Sequence, residues 1–393
     1  MNTCPADRTG SLIIDYSMIT TPLQDAIRAQ NAGGARPVQL NDYRGAATAA
    51  RFGDSQQEFP ALQNGCGIYD LGFRARILLT GGDRVRWMNG MVTNNIRDLA
   101  VGRGLYAFLL NPQGRILGDM YVYNRGESLL VQTDRSQVEK IIATFDHFII
   151  MDDVEVANIS ETQTALGVSG SRSRELLNAV GIGIPKMDPL QVVTPKCVCD
   201  CDCMECTVIR GEDALRESYE IWLDPKDVYK TWQALISAGA TAVGSEALEM
   251  QRIAAGIPLY GVDIRERDLP QETEQMRALN FNKGCYVGQE IVERIRSRGN
   301  VHRKFTGFLV EGAAEISAGA KIVSAEKEVG EITSVATLRT GPEERTVALG
   351  YIRREVGVPG RDVAIGTSKA TVIQLPIESG VLRQVDDAVL HKV

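Results

Sequence analysis

No run of apolar residues in this chain approaches the ~18 that a helix needs to cross a bilayer, so no transmembrane helix and no membrane partner are expected. The opening stretch, MNTCPADRTGSLIIDYSMI, lacks a basic region followed by an apolar core, which is the pattern of a secretory signal. Positive charge is not in excess. With 43 basic and 50 acidic residues the net charge is −7, which argues against nucleic acid as the main partner, because an acidic surface repels phosphates. Low-complexity tracts and short-period repeats are absent, so nothing suggests a solenoid. Without an export signal the expected location is the reducing cytoplasm. The eight cysteines are then expected as free thiols, metal ligands or reactive groups rather than as disulfides.

What is present is ordinary globular material: 393 residues, 44% hydrophobic and 24% charged, enough for two or three domains with buried cores. A helix is expected near 21–31, with Pro22 in its first turn. ARILLTG reads as a strand, followed by a short helix that Asp83 caps. GLYAFLLN, RILGDMYVYN and SLLVQT read as three strands joined by turns. Ser136 and Glu139 then form the signature of a capping box, opening a helix with Val138, Ile141, Ile142, Phe145 and Phe148 on its apolar positions. A second stretch repeats the logic. The strand TALGVSG precedes a helix closed by Gly181, and the strands ECTVIR and SYEIWL precede a helix opened by Asp224-Pro225. Both stretches read as α+β units. After about Val301, short strands at close spacing with Gly and Pro between them predict a small β-barrel or sandwich.

The chemistry-bearing segment is FNKGCYVGQE, residues 281–290. Lys283 stands two residues from Cys285, and a neighbouring ammonium favours the reactive thiolate, while Gly284 and Gly288 let backbone N–H groups approach. The same residues also fit a buried cysteine in a glycine-rich turn. Downstream, Arg294, Arg296 and Arg298 recur at a period of two, which on an extended segment puts three guanidiniums on one face, ready for a carboxylate-rich tail or simply for solvent.

Residues 252–308 resemble the YgfZ branch of the folate-binding superfamily that includes the glycine-cleavage T protein, an aminomethyltransferase. The branch signature K-G-C-[FY]-x-G-Q-E is matched by Lys283, Gly284, Cys285, Tyr286, Gly288, Gln289 and Glu290; aminomethyltransferases carry only K-x-x-F-I-G there. AAGIPLYGVDI, with Tyr260 and Asp263, is shared by both branches. LLNPQGRILGDMYVY resembles the superfamily's N-x-x-G-[GR]-x-x-x-D region, with Asp119 at the second of two aspartates and Gly118 in place of the first. SYEIWL resembles the strand whose glutamate meets the pterin, which implies that role for Glu220. The resemblance implies a three-lobed architecture, two α+β lobes and a C-terminal β-barrel around a folate channel. The expected boundaries are 1–44 for an N-terminal segment, 45–160 and 161–300 for the two lobes, and 301–393 for the barrel.

It further implies tetrahydrofolate as cofactor and a role in assembling or repairing iron–sulfur proteins, with those clients or assembly proteins as partners and a transient cluster at Cys285. Lys283 would tune the thiol, and Gln289 and Glu290 would orient its loop by hydrogen bonds. Folate would be held by Glu220, by stacking on Tyr106 or Tyr260, and by Arg294 and Arg296 at its glutamate tail. A folate-dependent aminomethyltransferase or demethylase working through Asp119 is the alternative, and a folate-binding scaffold without chemistry is a third reading. Outside the family pattern, PKCVCDCDCMEC places Cys197, Cys199, Cys201, Cys203 and Cys206 within ten residues. Such thiols suit Zn²⁺, Cu⁺ or an iron–sulfur cluster, or belong to a surface hairpin that tolerates cysteine. His147 and His302 have no metal-ligand partner at useful spacing.

Overall fold

The computed structural model describes residues 19–30, 38–195, 205–213, 216–299, 301–312, 316–340 and 343–377. It opens with α1 (Pro22–Gln30), a hairpin of β1 (Leu40–Tyr43) and β2 (Ala46–Ala49), α2 (Ser55–Asn64) and β3 (Gly67–Asp70). Next come β4 (Arg74–Thr80), α3 (Arg84–Met91), β5 (Arg103–Leu110), β6 (Ile116–Asn124), β7 (Leu129–Asp134), α4 (Arg135–Phe148) and β8 (Glu155–Asn158). The middle of the chain holds β9 (Thr164–Ser169), α5 (Ser173–Ala179), β10 (Val192–Val193), β11 (Cys206–Arg210), β12 (Ser218–Leu223), α6 (Val228–Ser237), β13 (Thr241–Val243), α7 (Ser245–Ala254) and α8 (Gln289–Arg298). The last part is all strand: β14 (Arg303–Val310), β15 (Lys321–Ser324), β16 (Lys327–Thr340), β17 (Glu343–Arg353), β18 (Asp362–Ile365) and β19 (Ser368–Ile373).

These elements form a three-lobed α+β fold. The first lobe is a five-stranded antiparallel sheet in the order β5-β6-β7-β4-β8. Alternation along its strands buries Ile77, Leu79, Met120, Val122 and Val131 against Trp87 and Met88 of α3 and Ile141 and Phe145 of α4. The second lobe is a six-stranded sheet, β10-β11-β12-β9-β3-β13, parallel only where β13 meets β3. Its core joins Ile68, Leu166, Val168, Tyr219 and Ile221 to Leu176 of α5 and Trp232 of α6. β3 therefore lies in the second sheet, although residues 67–70 fall within the span expected for the first lobe. The third lobe is a closed six-stranded barrel, β14-β17-β16-β15-β18-β19, filled by Phe308, Ile322, Ile332, Ile352 and Val372.

The predicted capping box does not form. Helix α4 starts at Arg135 with Asp134 as its N-cap, and no side chain caps it. The Asp134 carboxylate is drawn to Arg74 on the neighbouring strand at 2.8 Å instead.

Barrel and second lobe are joined by a buried polar knot. Arg252 of α7 donates to Asp263 Oδ2 at 2.6 Å, to Ser334 Oγ at 2.9 Å and to Glu249 Oε2 at 2.8 Å. Asp263, fully buried, also accepts from Ser334 at 2.8 Å, from the Thr333 hydroxyl and from the Leu259 N–H at 2.9 Å. A buried ion pair is tolerated only when every oxygen is satisfied in this way.

Candidate functional site

The inner face of the first sheet is polar. Strand alternation that sends Met120 and Val122 into the core sends Asp119 and Tyr121 to the opposite face. Register then lines up Tyr106, Tyr121, Gln132 and Arg76 as a row across β5, β6, β7 and β4. Facing this row, β12 turns Tyr219 and Ile221 into the second lobe's core and presents Glu220 and Trp222. Gln132 Nε2 and Trp222 Nε1 both donate to Glu220 Oε2, at 2.7 and 2.8 Å. Arg76 lies with its guanidinium carbon 5.2 Å from the Trp222 ring. Burial pulls the Arg76 pKa down to about 10, with the Glu220 charge opposing that shift. Its Nε and one terminal nitrogen lack a partner among the described residues.

Beside this row lies a pocket. Asp119 forms its floor: Oδ2 accepts from the Tyr106 hydroxyl at 2.6 Å and Oδ1 from Gln137 Nε2 at 2.8 Å, while its N–H donates to Gln137 Oε1 at 3.1 Å. Burial raises the Asp119 pKa above the usual carboxylate range, and the Asp134 charge adds to this; the bonds from Tyr106 and Gln137 oppose it. Arg44, Arg74, Arg252 and Arg277 line the same space, with Asp134 and the segment Ile257, Pro258 and Leu259. Arg277 holds its guanidinium 4.4 Å from the Tyr106 ring centre and pairs with Glu212, which also accepts from the Tyr121 hydroxyl at 2.9 Å.

The glycine-cysteine loop is built from the residues around Cys285. Lys283 is buried, and its ammonium donates to the carbonyls of Asn89, Val92 and Asn94 at 2.5, 2.6 and 2.7 Å. Burial draws its pKa down to about 7. All three donors are thus engaged on the first lobe, which leaves none for the thiol that Lys283 was expected to tune. Tyr286 packs into an apolar cluster with Phe108 and Val292, and its N–H meets Gln289 Oε1 at 3.3 Å. Gly288 caps α8 at φ +82°, and a Cβ there would stand 2.6 Å from the Asn111 carbonyl oxygen. Gly284, also expected to shape the loop, has open space around it. Glu290 sits in the first turn of α8 and pairs with Arg294 at 3.6 Å. Cys285 is exposed, is not among the residues lining the Asp119 pocket, and has no hydrogen-bond partner among the described residues.

Other expected positions fall elsewhere. Tyr106 lines the pocket, whereas Tyr260 donates to the Leu117 carbonyl at 2.6 Å, accepts from Lys140 at 2.6 Å and lies outside the lining. The segment carrying Arg294, Arg296 and Arg298 is helical, not extended, so residues two apart point to different sides. Ile291, Val292 and Ile295 supply the helical stripe that overrides the arginine period. Arg294 and Arg296 pair with Glu290 and Glu293 on that helix, and Arg296 also lies 4.7 Å from the Phe281 ring centre; neither lines the pocket. Cys206 is buried at the start of β11, where burial pushes its pKa up to about 11. Cys197, Cys199, Cys201 and Cys203 lie outside the described residues. Among the described residues no group of three or more His, Cys, Asp or Glu is arranged to hold a metal ion. The pocket arginines and Gln137 were missed by the sequence reading. The signal for Arg74 and Arg76 was there: in RARILLT both alternate with Ala75 and Ile77.

Two α+β lobes and a barrel around a buried carboxylate define an aminomethyltransferase-like protein. Residues 23–283 match the family described as the GCVT N-terminal domain, and the chain belongs to that family. It is 27% identical over 349 residues to an aminomethyltransferase from Halothermothrix orenii, covering 84% of this chain and 92% of that one. A putative chloroplastic transferase from Arabidopsis thaliana is 24% identical over 328 residues, 82% of this chain and 73% of its own length. The glycine cleavage system aminomethyltransferase T from Bartonella henselae superposes with a TM-score of 0.80 at 20% identity, covering 92% of this chain and 98% of that one.

Proposed function

We propose that this is a tetrahydrofolate-binding protein of the YgfZ branch, acting in assembly or repair of iron–sulfur proteins through Cys285. One observation carries the reading. Lys283, Tyr286, Gly288 and Gln289 are each used to anchor the loop, while Cys285 is exposed with no partner among the described residues. A rigid loop that spends its neighbours on holding an unengaged thiol in solvent suits a thiolate offered to another molecule. The cluster is then cargo, with Cys285 giving one ligand and the client or assembly partner the rest. The family match supports folate as the ligand. Glu220 offers a carboxylate already fixed by Gln132 and Trp222, suited to the N–C–N edge of a pterin, and Tyr106 and Tyr121 offer aromatic surface. When bound, the folate supplies a one-carbon carrier.

The test is anaerobic reconstitution with iron and sulfide, read by visible absorption on wild type, Cys285→Ser and a variant with Cys197, Cys199, Cys201, Cys203 and Cys206 all changed to Ser. A thiolate-to-iron band lost only in Cys285→Ser supports the reading. A band lost only in the multiple variant moves the cluster to the cysteine-rich segment. No band in any of them removes direct cluster handling by the isolated chain and favours the scaffold reading.

A second reading, folate-dependent aminomethyl transfer or demethylation, is favoured by Asp119. Its carboxyl is buried, held by Tyr106 and Gln137, and raised in pKa, which keeps a proton available at an amine bound beside it. That reading expects turnover that survives Cys285→Ser and is lost on Asp119→Asn.

A further inference from the structure

Arg44 occupies an unusual place. It stands in the two-residue turn between β1 and β2 with φ +58°, followed by Gly45 at φ +91°. That turn favours Asn-Gly or Gly-Gly, and an arginine in left-handed backbone is held there only when its side chain has a use. The side chain is 11% exposed and lines the Asp119 pocket. Asp134 and Glu249 balance its charge, but both stand at long range. The terminal nitrogens stand 3.7 Å from Asp134 and 3.5 Å from Glu249, and Nε has no partner among the described residues. Arg74, across the same pocket, pairs with Asp134 at 2.8 Å through one terminal nitrogen, and its Nε is likewise unpartnered among the described residues. Two largely buried guanidiniums beside one cavity, each with an Nε that no described residue engages, suit an anion. Glu249 and Asp263 stand behind the lining on Arg252, and Glu212 on Arg277, so those two guanidiniums are already engaged.

We infer that Arg44 and Arg74 form a carboxylate-binding subsite beside Asp119, and that the pocket takes a small amino-acid-like zwitterion, its carboxylate on the two guanidiniums and its amine on Asp119. The cavity is ≈40 Å³, room for a few water-sized groups, so it admits only the smallest ligand and not a folate. A zwitterion matches the lining at both ends: spare cationic donors on one side, a carboxylate acceptor on the other. The inference deepens the one-carbon-transfer reading, on which it rests, by naming the class of donor. The folate's own glutamate tail is the other source of a carboxylate, and the experiment separates the two.

Isothermal titration with sarcosine, with methylamine as a probe lacking the carboxylate and acetate as one lacking the amine, is run on the full chain with and without 5-formyltetrahydrofolate. Sarcosine is expected to bind wild type more tightly than either fragment. Arg44→Gln is expected to weaken it by about tenfold or more and Arg44→Lys by less, the loss of a charge-assisted bond. Affinity for 5-formyltetrahydrofolate is expected to change less than about twofold, which also shows that the variants are folded. The inference is overturned if wild type binds sarcosine no better than methylamine in either condition. It is equally overturned if Arg44→Gln weakens 5-formyltetrahydrofolate but spares 6-methyltetrahydropterin, since Arg44 then holds the tail. Sarcosine binding without transfer of its methyl group to N5 of added tetrahydrofolate, the C–N bond breaking and the N5 proton leaving with glycine, leaves the subsite standing and sinks the transfer reading; methyl transfer from methylamine, with ammonia leaving, but without sarcosine binding does the reverse.

Discussion

Asp119 pairs a buried carboxyl with two hydrogen bonds that favour its charge, and burial outweighs them. The consequence is a defined pH dependence. The folded state holds the Asp119 proton more tightly than the unfolded chain, whose aspartate titrates near 4. Its contribution to stability is therefore full below about pH 4 and lost as pH rises through the raised folded pKa. Asp119→Asn removes this slope, so the stability difference between wild type and variant is expected to shift in the variant's favour between about pH 4 and pH 7, read by urea unfolding at each pH. A difference that stays flat, or runs the other way, contradicts the assignment. At this scale the sequence was partly readable. Asp119 and Glu220 stand out in the sequence through the motifs around them, and of the two Asp119 lines the pocket. Arg44, Arg74, Arg252 and Arg277 come from four separate segments, and only the folded chain brings them to one pocket.

Elements differ in how much the sequence says about them. The strands of the first sheet were legible because apolar and polar residues alternate with a core on one face only. The arginine run was misread because its period of two mimics a strand, while the helical stripe of Ile291, Val292 and Ile295 is short and the deciding contact lies elsewhere. That contact is the start of α8 against the turn after β5, where Gly288 and Gly114 approach each other. It yields a paired prediction. Gly288→Ala forces a Cβ against the Asn111 carbonyl at φ +82° and is expected to lose about 2–3 kcal/mol, whereas Gly284→Ala, in open space, stays within about 0.5 kcal/mol. Lys283→Met strands three buried carbonyls and is expected to match the larger loss, while Cys285→Ser is expected to leave stability unchanged. Chemical denaturation of the four variants checks the set. A Cys285→Ser loss as large as that of Lys283→Met would show that the thiol is structural, and the reading built on its free state would fall with it.

On the scale of the whole molecule, the pocket exists because three lobes are held at fixed positions, and Arg252 ties the second lobe to the barrel. It lines the pocket, reaches Asp263 and Ser334, and shares Glu249 with Tyr43 and Arg44 of the β1–β2 hairpin. The barrel is thereby coupled to the site although none of its residues lines the Asp119 pocket. Breaking one partner of a buried ion pair leaves the other charge uncompensated, at about 3–5 kcal/mol. Asp263→Asn keeps the shape but removes the charge that Arg252 faces at 2.6 Å. It is expected to loosen the barrel before it unfolds either α+β lobe, because the barrel has a core of its own and, besides the polar knot, meets the second lobe through a shared apolar seam of Met250 and Ile253 of α7 with Leu338, Val347 and Leu349. Calorimetry should then split one transition into two, and limited proteolysis should open the connection between α8 and β14 first. Binding of sarcosine should weaken in step, since a freed Arg252 leaves both Glu249 and Arg44 without their present geometry. A single cooperative transition at lower temperature, with sarcosine affinity unchanged, would mean instead that the lobes melt as one body and that the knot stabilises the protein without shaping the pocket.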